Sequence, residues 1–285
     1  YYKLLINQLG KDGITEDLAK TKYDELTAIV DKNISNPANK QLQAYKDVKV
    51  VLDDLYTQNF ADKSNPADCA KLLEIYLKKY KENPNDLETV KLVYTKTKGC
   101  ADSSLNVELL KKLNVMAPSY SYANRLGSIY MKADMFDSAY VLYEKAIAVE
   151  TDSSKKADMY YILASIKAHN DDYPASRDFA KQAIAFKADM AKAYMLIGNL
   201  YLGSGKLCGP GIGFQSQIVL WPAFDYLRKA IELGDDEVKA EAQKMISSYT
   251  QYLPTKAEVT AKKLSVGGAY TVKCWINEET TVKVK

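Results

Sequence analysis

Four cysteines, a single histidine and 22 tyrosines are the residues of this 285-residue chain with chemistry to offer. Cys69, Cys100, Cys208 and Cys274 fit no C-x-x-C zinc or redox spacing. His169 has no second imidazole to work with, so a catalytic base or a metal centre lacks its usual material. Its place just before Asn170 suits a helix end, where a cation meets the helix dipole. The carboxylate pairs Asp53-Asp54 and Asp171-Asp172 are adjacent in sequence and are expected on solvated faces or helix ends. The glycine-rich stretch 203–213 invites a nucleotide-loop reading, but Leu200 stands where a Walker loop needs glycine and Leu207 where it needs Ser or Thr. Gly-x-Ser-x-Gly, His-Glu-x-x-His and Asp-x-Asp-x-Asp-Gly are all missing. The sequence therefore predicts no catalytic residue, no metal site and no cofactor.

Tyrosine outnumbers phenylalanine 22 to six. A ring with an apolar body and a polar tip suits surfaces that bind, so the excess points toward recognition. The formal charge of +3 is too small to argue for nucleic acid, and the only arginines are Arg125, Arg177 and Arg228. No apolar run reaches the roughly 20 residues of a membrane-spanning helix. The chain opens on Tyr1-Tyr2 with no initiating methionine, which reads as the removal of a preceding signal peptide or as an arbitrary boundary.

The elements that must position these residues are helices. Hydrophobic spacing predicts them over 14–31, 37–59, 67–82, 85–98, 103–115, 119–132, 136–150, 155–169, 174–187, 190–203, 216–233, 236–251 and 255–264. Asn36-Pro37, Asn65-Pro66 and Asn83-Pro84 read as capped starts, and Thr255 with Glu258 as a capping box. Gly234 before Asp235-Asp236 reads as a stop followed by an acidic start. With turns this short, successive helices pack antiparallel. The tail changes period. Ala269–Ile276 and Thr280–Lys285 alternate, so a β-hairpin turning at Asn277-Glu278-Glu279 is expected.

An order of small, aromatic and aliphatic residues recurs. Its first copy runs over 120–153 with Leu126-Gly127, Tyr130, Phe136, Ala139, Tyr143 and Ala146. The second runs over 157–190 with Tyr160, Leu163-Ala164, Tyr173, Ser176, Ala180 and Ala183. The third starts at Ala191 with Tyr194, Ile197-Gly198 and Tyr201, and resumes after an insertion at Ala223, Leu227 and Ala230. This unit of about 34 residues resembles the tetratricopeptide repeat (TPR). The insertion Leu207–Phe214, the aromatic-rich helix after it and the closing Gly267–Ile276 segment make the C-terminal third resemble bacterial cell-envelope TPR proteins.

The resemblance implies an all-α fold, a right-handed superhelix of antiparallel hairpins ending in the small β-hairpin. Residues 1–118 are expected to hold degenerate hairpins. Residues 119–253 are expected to hold three units with an insertion at 204–222 and a capping helix, and 254–285 a last helix and the hairpin. The resemblance also implies a concave lining at Ser121, Asn124, Ser128 and Met131, then Asp158, Tyr161, Ser165 and Ala168, then Lys192, Met195, Asn199 and Leu202. Of these, Asn124, Ser128, Met131, Tyr161, Ser165, Lys192, Met195 and Asn199 are the candidate partner-binding residues. The lining is mildly polar with one lysine. It suits a neutral or amphipathic peptide, or a helix of a partner subunit such as another envelope protein.

Cys69 falls at the start of one predicted helix and Cys100 just past the end of the next, ends that meet in an antiparallel hairpin. Cys208 in the insertion and Cys274 in the terminal hairpin both lie outside the regular stack, and a bond between them would pin one to the other. Disulfides would place the protein outside the reducing cytosol, periplasmic or associated with the outer membrane. Four reduced thiols in a cytoplasmic protein is the other reading. The expected function is a non-catalytic protein-interaction scaffold. The alternatives are a carbohydrate-capturing envelope protein with Trp221 or clustered tyrosines as its platform, and an enzyme built on Lys206, Gln215, Ser216 and Gln217 in the 203–222 segment.

Overall fold

The computed structural model describes residues 1–11, 13–100 and 103–285. The chain divides into two compact units, Tyr1–Ala117 and Pro118–Lys285. The first holds α1 (Tyr2–Asn7), α2 (Glu16–Ile34), α3 (Leu42–Phe60), α4 (Pro66–Glu82), α5 (Leu87–Thr97) and α6 (Ser104–Met116). Side-chain caps set most of these starts. Thr15 accepts from the Leu18 N–H at 3.1 Å, Asn65 from Ala67 at 2.9 Å and Ser103 from Asn106 at 3.2 Å.

Two of the Asn-Pro starts move. Asn36 accepts from Ala38 N–H and Asn39 from Gln41 N–H, so two successive side-chain turns hold the backbone out of helix until Leu42. After Pro84 the cap is Asp86, whose Oδ2 accepts from both the N–H and the hydroxyl of Thr89 at 2.7 Å. A carboxylate there also faces the positive helix end, and it takes the place expected of Asn83.

α2 packs on α3, α4 on α5 and α5 on α6, each a helical hairpin. Ala19, Val30, Leu52, Leu72, Val90, Val93, Leu109 and Leu113 fill the interior. Cys69 and Cys100 are joined by a disulfide. Beside it Asn106 donates to the carbonyls of Thr97 and Cys100 and accepts from the Thr97 hydroxyl. These buried polar groups satisfy one another, as burial requires.

The second unit holds α7 (Tyr120–Lys132), α8 (Phe136–Val149), α9 (Ser153–His169), α10 (Tyr173–Phe186), α11 (Ala191–Leu202), α12 (Gly205–Cys208), α13 (Phe214–Gln217), α14 (Leu220–Leu233), α15 (Asp236–Thr250) and α16 (Lys256–Ala261). Then come β1 (Ala269–Val272) and β2 (Glu278–Thr281). The fold is all-α with a small terminal β-hairpin. α7 pairs with α8, α9 with α10 and α11 with α14, three consecutive hairpins.

The small residues are what let these pairs close. A Cβ on Gly127 would lie 2.6 Å from the Tyr143 ring, and one on Gly198 would lie 2.7 Å from Leu227 Cγ. Ala139, Ala146, Ala164, Ala180, Ala183, Ala223 and Ala230 are fully buried along the same hairpins. This is a TPR-like repeat, with small residues on both helices of each hairpin and with Gly127 and Gly198 receiving Tyr143 and Leu227.

Gly234 ends α14 without a left-handed backbone. Its φ is −80°, and what excludes a side chain is space, since a Cβ would lie 2.8 Å from the Ala230 carbonyl oxygen. Thr255 and Glu258 form the full capping box. The predicted helix over 216–233 breaks at Ile218-Val219, leaving α13 as a short separate turn.

The β-hairpin turns earlier than its sequence suggests. Val272 pairs with Glu278 and Ala269 with Thr281, so residues 273–277 form the loop and Glu278-Glu279 lie in β2. Cys274 at φ +67° and Asn277 at φ +46° turn the backbone. Ile276, between them, is buried in the helical core, and Cys274 is bonded to Cys208. Burial of the loop thus overrides continuation of the strand.

Candidate protein-interaction surface

The eight lining residues fall on the first helices of the three hairpins of the second unit. On α7, Asn124 is half-buried and accepts from the Tyr143 hydroxyl at 3.3 Å, Ser128 is exposed, and Met131 packs partly against the core. On α9, Tyr161 is half-buried, and the Ser165 hydroxyl turns back to the Tyr161 carbonyl at 3.0 Å. On α11, Lys192 and Asn199 are exposed while Met195 is half-buried. Tyr161 and Met195 lean on the same core cluster, so their inner edges are fixed and their outer edges open. The other lining positions diverge. Ser121 is exposed, Asp158 accepts from Tyr120 at 3.4 Å, Ala168 is half-buried, and Leu202 is lost to the core.

His169 closes α9 and lays its ring on Phe136, centroids 4.0 Å apart. Asp172 caps α10, as a helix-end carboxylate should. Asp53 and Asp54 are a correction: both are half-buried. They line a cleft of about 500 Å³ in the first unit with Tyr23, Lys49, Lys71 and Lys78. Asp53 accepts from Tyr23 and Lys49 at 2.7 Å, and burial raises the Asp54 carboxyl above its ordinary range. Among the described residues no three His, Cys, Asp or Glu side chains gather as metal ligands.

Trp221 offers no sugar platform. It is 0% exposed, and its indole N–H donates to the Lys283 carbonyl at 2.7 Å. In the 203–222 segment the polar groups do not converge on a reactive point. Ser204 donates to Leu200 O, Ser216 accepts from Gly211 N–H, and Gln215 and Lys206 face solvent.

No protein-family model matches the chain, and no curated protein matches it. Two solved structures, described as the crystal structures of MamA and of MamA protein, each share 26% sequence identity with it at a TM-score of 0.46. They align with 61% of this chain and with 92% and 86% of their own. At that TM-score the likeness is too loose to carry a functional assignment.

What sequence reasoning missed is a clamp that docks the hairpin on α10, α11 and α14. Glu278 receives Tyr201 at 2.9 Å, Tyr226 at 3.4 Å and the Lys181 ammonium. Arg177 donates to the carbonyls of Trp275 at 2.6 Å and Ile276 at 3.0 Å, with its guanidinium 5.5 Å from the Trp275 ring. Asp225 accepts from Thr280 and from Lys283. The one signal in the sequence was Arg177 itself, a rare arginine standing among alanines.

Burial gives the tyrosines a pH signature. It lifts the Tyr2, Tyr23, Tyr80, Tyr140 and Tyr143 phenols from an ordinary 10.0 to about 12, helped at Tyr23 by Asp53 and at Tyr80 by Glu108. Tyr201 and Tyr226 are raised further, by burial and then by Glu278. A folded-state value above the unfolded one means stability intact below pH 10 and lost as pH climbs through about 12. The share of the tyrosinate absorbance that belongs to these seven phenols should therefore appear together with the loss of far-ultraviolet circular dichroism. Completion of the whole tyrosinate signal near pH 10 with circular dichroism unchanged would contradict it.

Proposed function

We propose that this protein is a non-catalytic interaction scaffold whose α7, α9 and α11 faces hold a neutral or amphipathic peptide segment, or a helix of a partner subunit. The observation that carries the reading is the state of Tyr161 and Met195. Both are backed by the core on one side and open on the other, a firm apolar seat flanked by the polar Ser165, Lys192 and Asn199. Asn124, Ser128 and Met131 extend the seat along α7. TPR-like hairpins support a protein partner. The two disulfides support an oxidising compartment, which favours export to the periplasm or the outer-membrane surface, and there an envelope protein is the partner to look for. Among the described residues no helix is long and apolar enough to cross a membrane.

Photo-crosslinkers placed at Ser128 and at Met195, with a control at the exposed Gln182 of α10, test the reading in the native cells. The expected result is a shared crosslinked protein at the first two sites and none at the third. Binding of that protein should then fall at least about tenfold when Tyr161, Lys192 and Met195 are all changed to glutamate, since a buried aromatic anchor alone is commonly worth that much. Unchanged binding by the triple variant would move the contact surface elsewhere.

A further inference from the structure

The two disulfides differ in what surrounds them. Cys69 and Cys100 are 8% and 1% exposed, closed within the helical interior of the first unit. Cys208 is half-buried and Cys274 exposed, and a hollow of about 220 Å³ opens beside their bond. Lys273, also exposed, lines that hollow and brings a positive charge to the approach. Thiol–disulfide exchange needs a thiolate to reach one of the sulfurs, so access decides which bond reacts in a folded protein. A neighbouring cation draws the attacking thiolate in and steadies the one that leaves.

The Cys208–Cys274 bond joins two segments that are held very unequally without it. The hairpin keeps its contacts with Arg177, Tyr201 and Asp225, and the Trp221 bond to the Lys283 carbonyl, whether or not the sulfurs are joined. The insertion has little of its own. α12 and α13 are four residues each, too short to persist as helices alone. Phe214, edge-on to Trp221, anchors the far end. Before it, Gly205, Gly209, Gly211 and Gly213 raise the entropy that the segment regains when freed. The Leu207 and Cys208 N–H groups donate to the Ser204 carbonyl at 3.0 Å, and Gly211 N–H donates to Ser216 Oγ at 2.8 Å. These bonds tie the insertion to itself rather than to the hairpin.

We propose that Cys208–Cys274 is a reducible latch: a dithiol opens it in the folded protein and frees residues 205–213 from the hairpin, while Cys69–Cys100 stays closed. One thiolate of the dithiol attacks Cys274 Sγ, forms a mixed disulfide and expels the Cys208 thiolate, which takes a proton from water. The second thiol of the reductant then loses its proton and attacks its own sulfur partner in the mixed disulfide. The Cys274 thiolate leaves and is protonated in turn. Two electrons pass to the protein, and the dithiol departs as a disulfide. The latch thus sets how firmly the insertion is held without dismantling the helical stack.

The test treats the full chain with graded dithiothreitol in the absence of denaturant, alkylates with N-ethylmaleimide and reads each cysteine by peptide mapping. Cys208 and Cys274 should be labelled together, on the order of 100-fold faster than Cys69 and Cys100, whose bond must wait for the first unit to open. In the reduced protein, hydrogen exchange at the Leu207, Cys208 and Gly211 amides should quicken at least about tenfold, while β1 and β2 exchange as before. Cys208→Ser combined with Cys274→Ser should show that exchange pattern without reductant, and adding reductant should leave the insertion unchanged. Equal labelling of the two pairs, or no labelling of either, would overturn the proposal. Unchanged exchange in the insertion would sink it too, since the bond would then restrain nothing there. Lost protection in both strands would make the bond a clasp of the whole hairpin, and would overturn the latch equally.

Discussion

Replacing Trp221 with alanine is expected to cost the second unit about 3–5 kcal/mol, the range for truncating a fully buried tryptophan. The ring is 0% exposed. It meets Phe214 edge-on at 5.8 Å and Tyr270 edge-on at 5.2 Å, so it joins α13, α14 and the start of the hairpin. Truncation removes these contacts and leaves a void that the close-packed alanines around it cannot fill. It also strands the Lys283 carbonyl, whose donor at 2.7 Å is the indole N–H. Urea denaturation followed by circular dichroism measures the effect. The expected trace moves the transition of residues 118–285 and leaves that of residues 1–117 in place. A loss below about 1 kcal/mol would show that the hairpin rests elsewhere, since surface-type substitutions rarely exceed that range.

The other large effect belongs to the first unit. Changing Cys69 and Cys100 together to serine should cost it about 3–4 kcal/mol, the chain-entropy value for a link across a separation of 31 residues. The native packing gives little to compensate. Cys100 is 1% exposed, and its carbonyl is one of three groups in the Thr97–Asn106 network. The sharper check is the response to reductant. Dithiothreitol should lower the denaturation midpoint of the native first unit to that of the double variant and leave the variant itself unmoved. Equal stability of native, reduced and serine forms would mean that the bond constrains nothing in the unfolded chain.

How much of this was legible in the sequence varies with the range of the forces involved. Helix existence and the hairpin stack follow from hydrophobic spacing, and Gly127 against Tyr143 is a contact that the small-residue pattern names almost directly. Boundaries were less legible wherever two local signals competed. Asn65-Pro66 starts a helix because nothing else claims its backbone, whereas Asn36 and Asn39 spend their side chains on turns and delay α3 to Leu42. α1 escaped notice because six residues are too few to show a period.

Long-range matters were least legible. The hairpin loop is set by Ile276 finding the core and Cys274 finding Cys208, and neither is written in local alternation. The same holds for the surface. The repeat resemblance supplied the lining positions, but it did not show that Leu202, at the end of α11, is buried in the core. Asp53 and Asp54 sit half-buried in a cleft because Tyr23, 30 residues earlier in the chain, lies over Asp53.

The reach of the Arg177 clamp has a consequence for how the second unit comes apart. A stack in which each hairpin touches only its neighbours can fray from its end, losing one hairpin at a time in a graded, nearly additive way. Here Arg177 holds residues 98 and 99 positions further along the chain, and Trp221 holds one 62 positions on. The final hairpin therefore cannot peel away without undoing contacts made by α10. A linear array is turned into a closed loop of mutual dependence, in which α10, α11, α14 and the terminal strands open together or stay shut. The same reach raises the contact order of an otherwise local fold, so the helices are expected to form early and the clamp to close last.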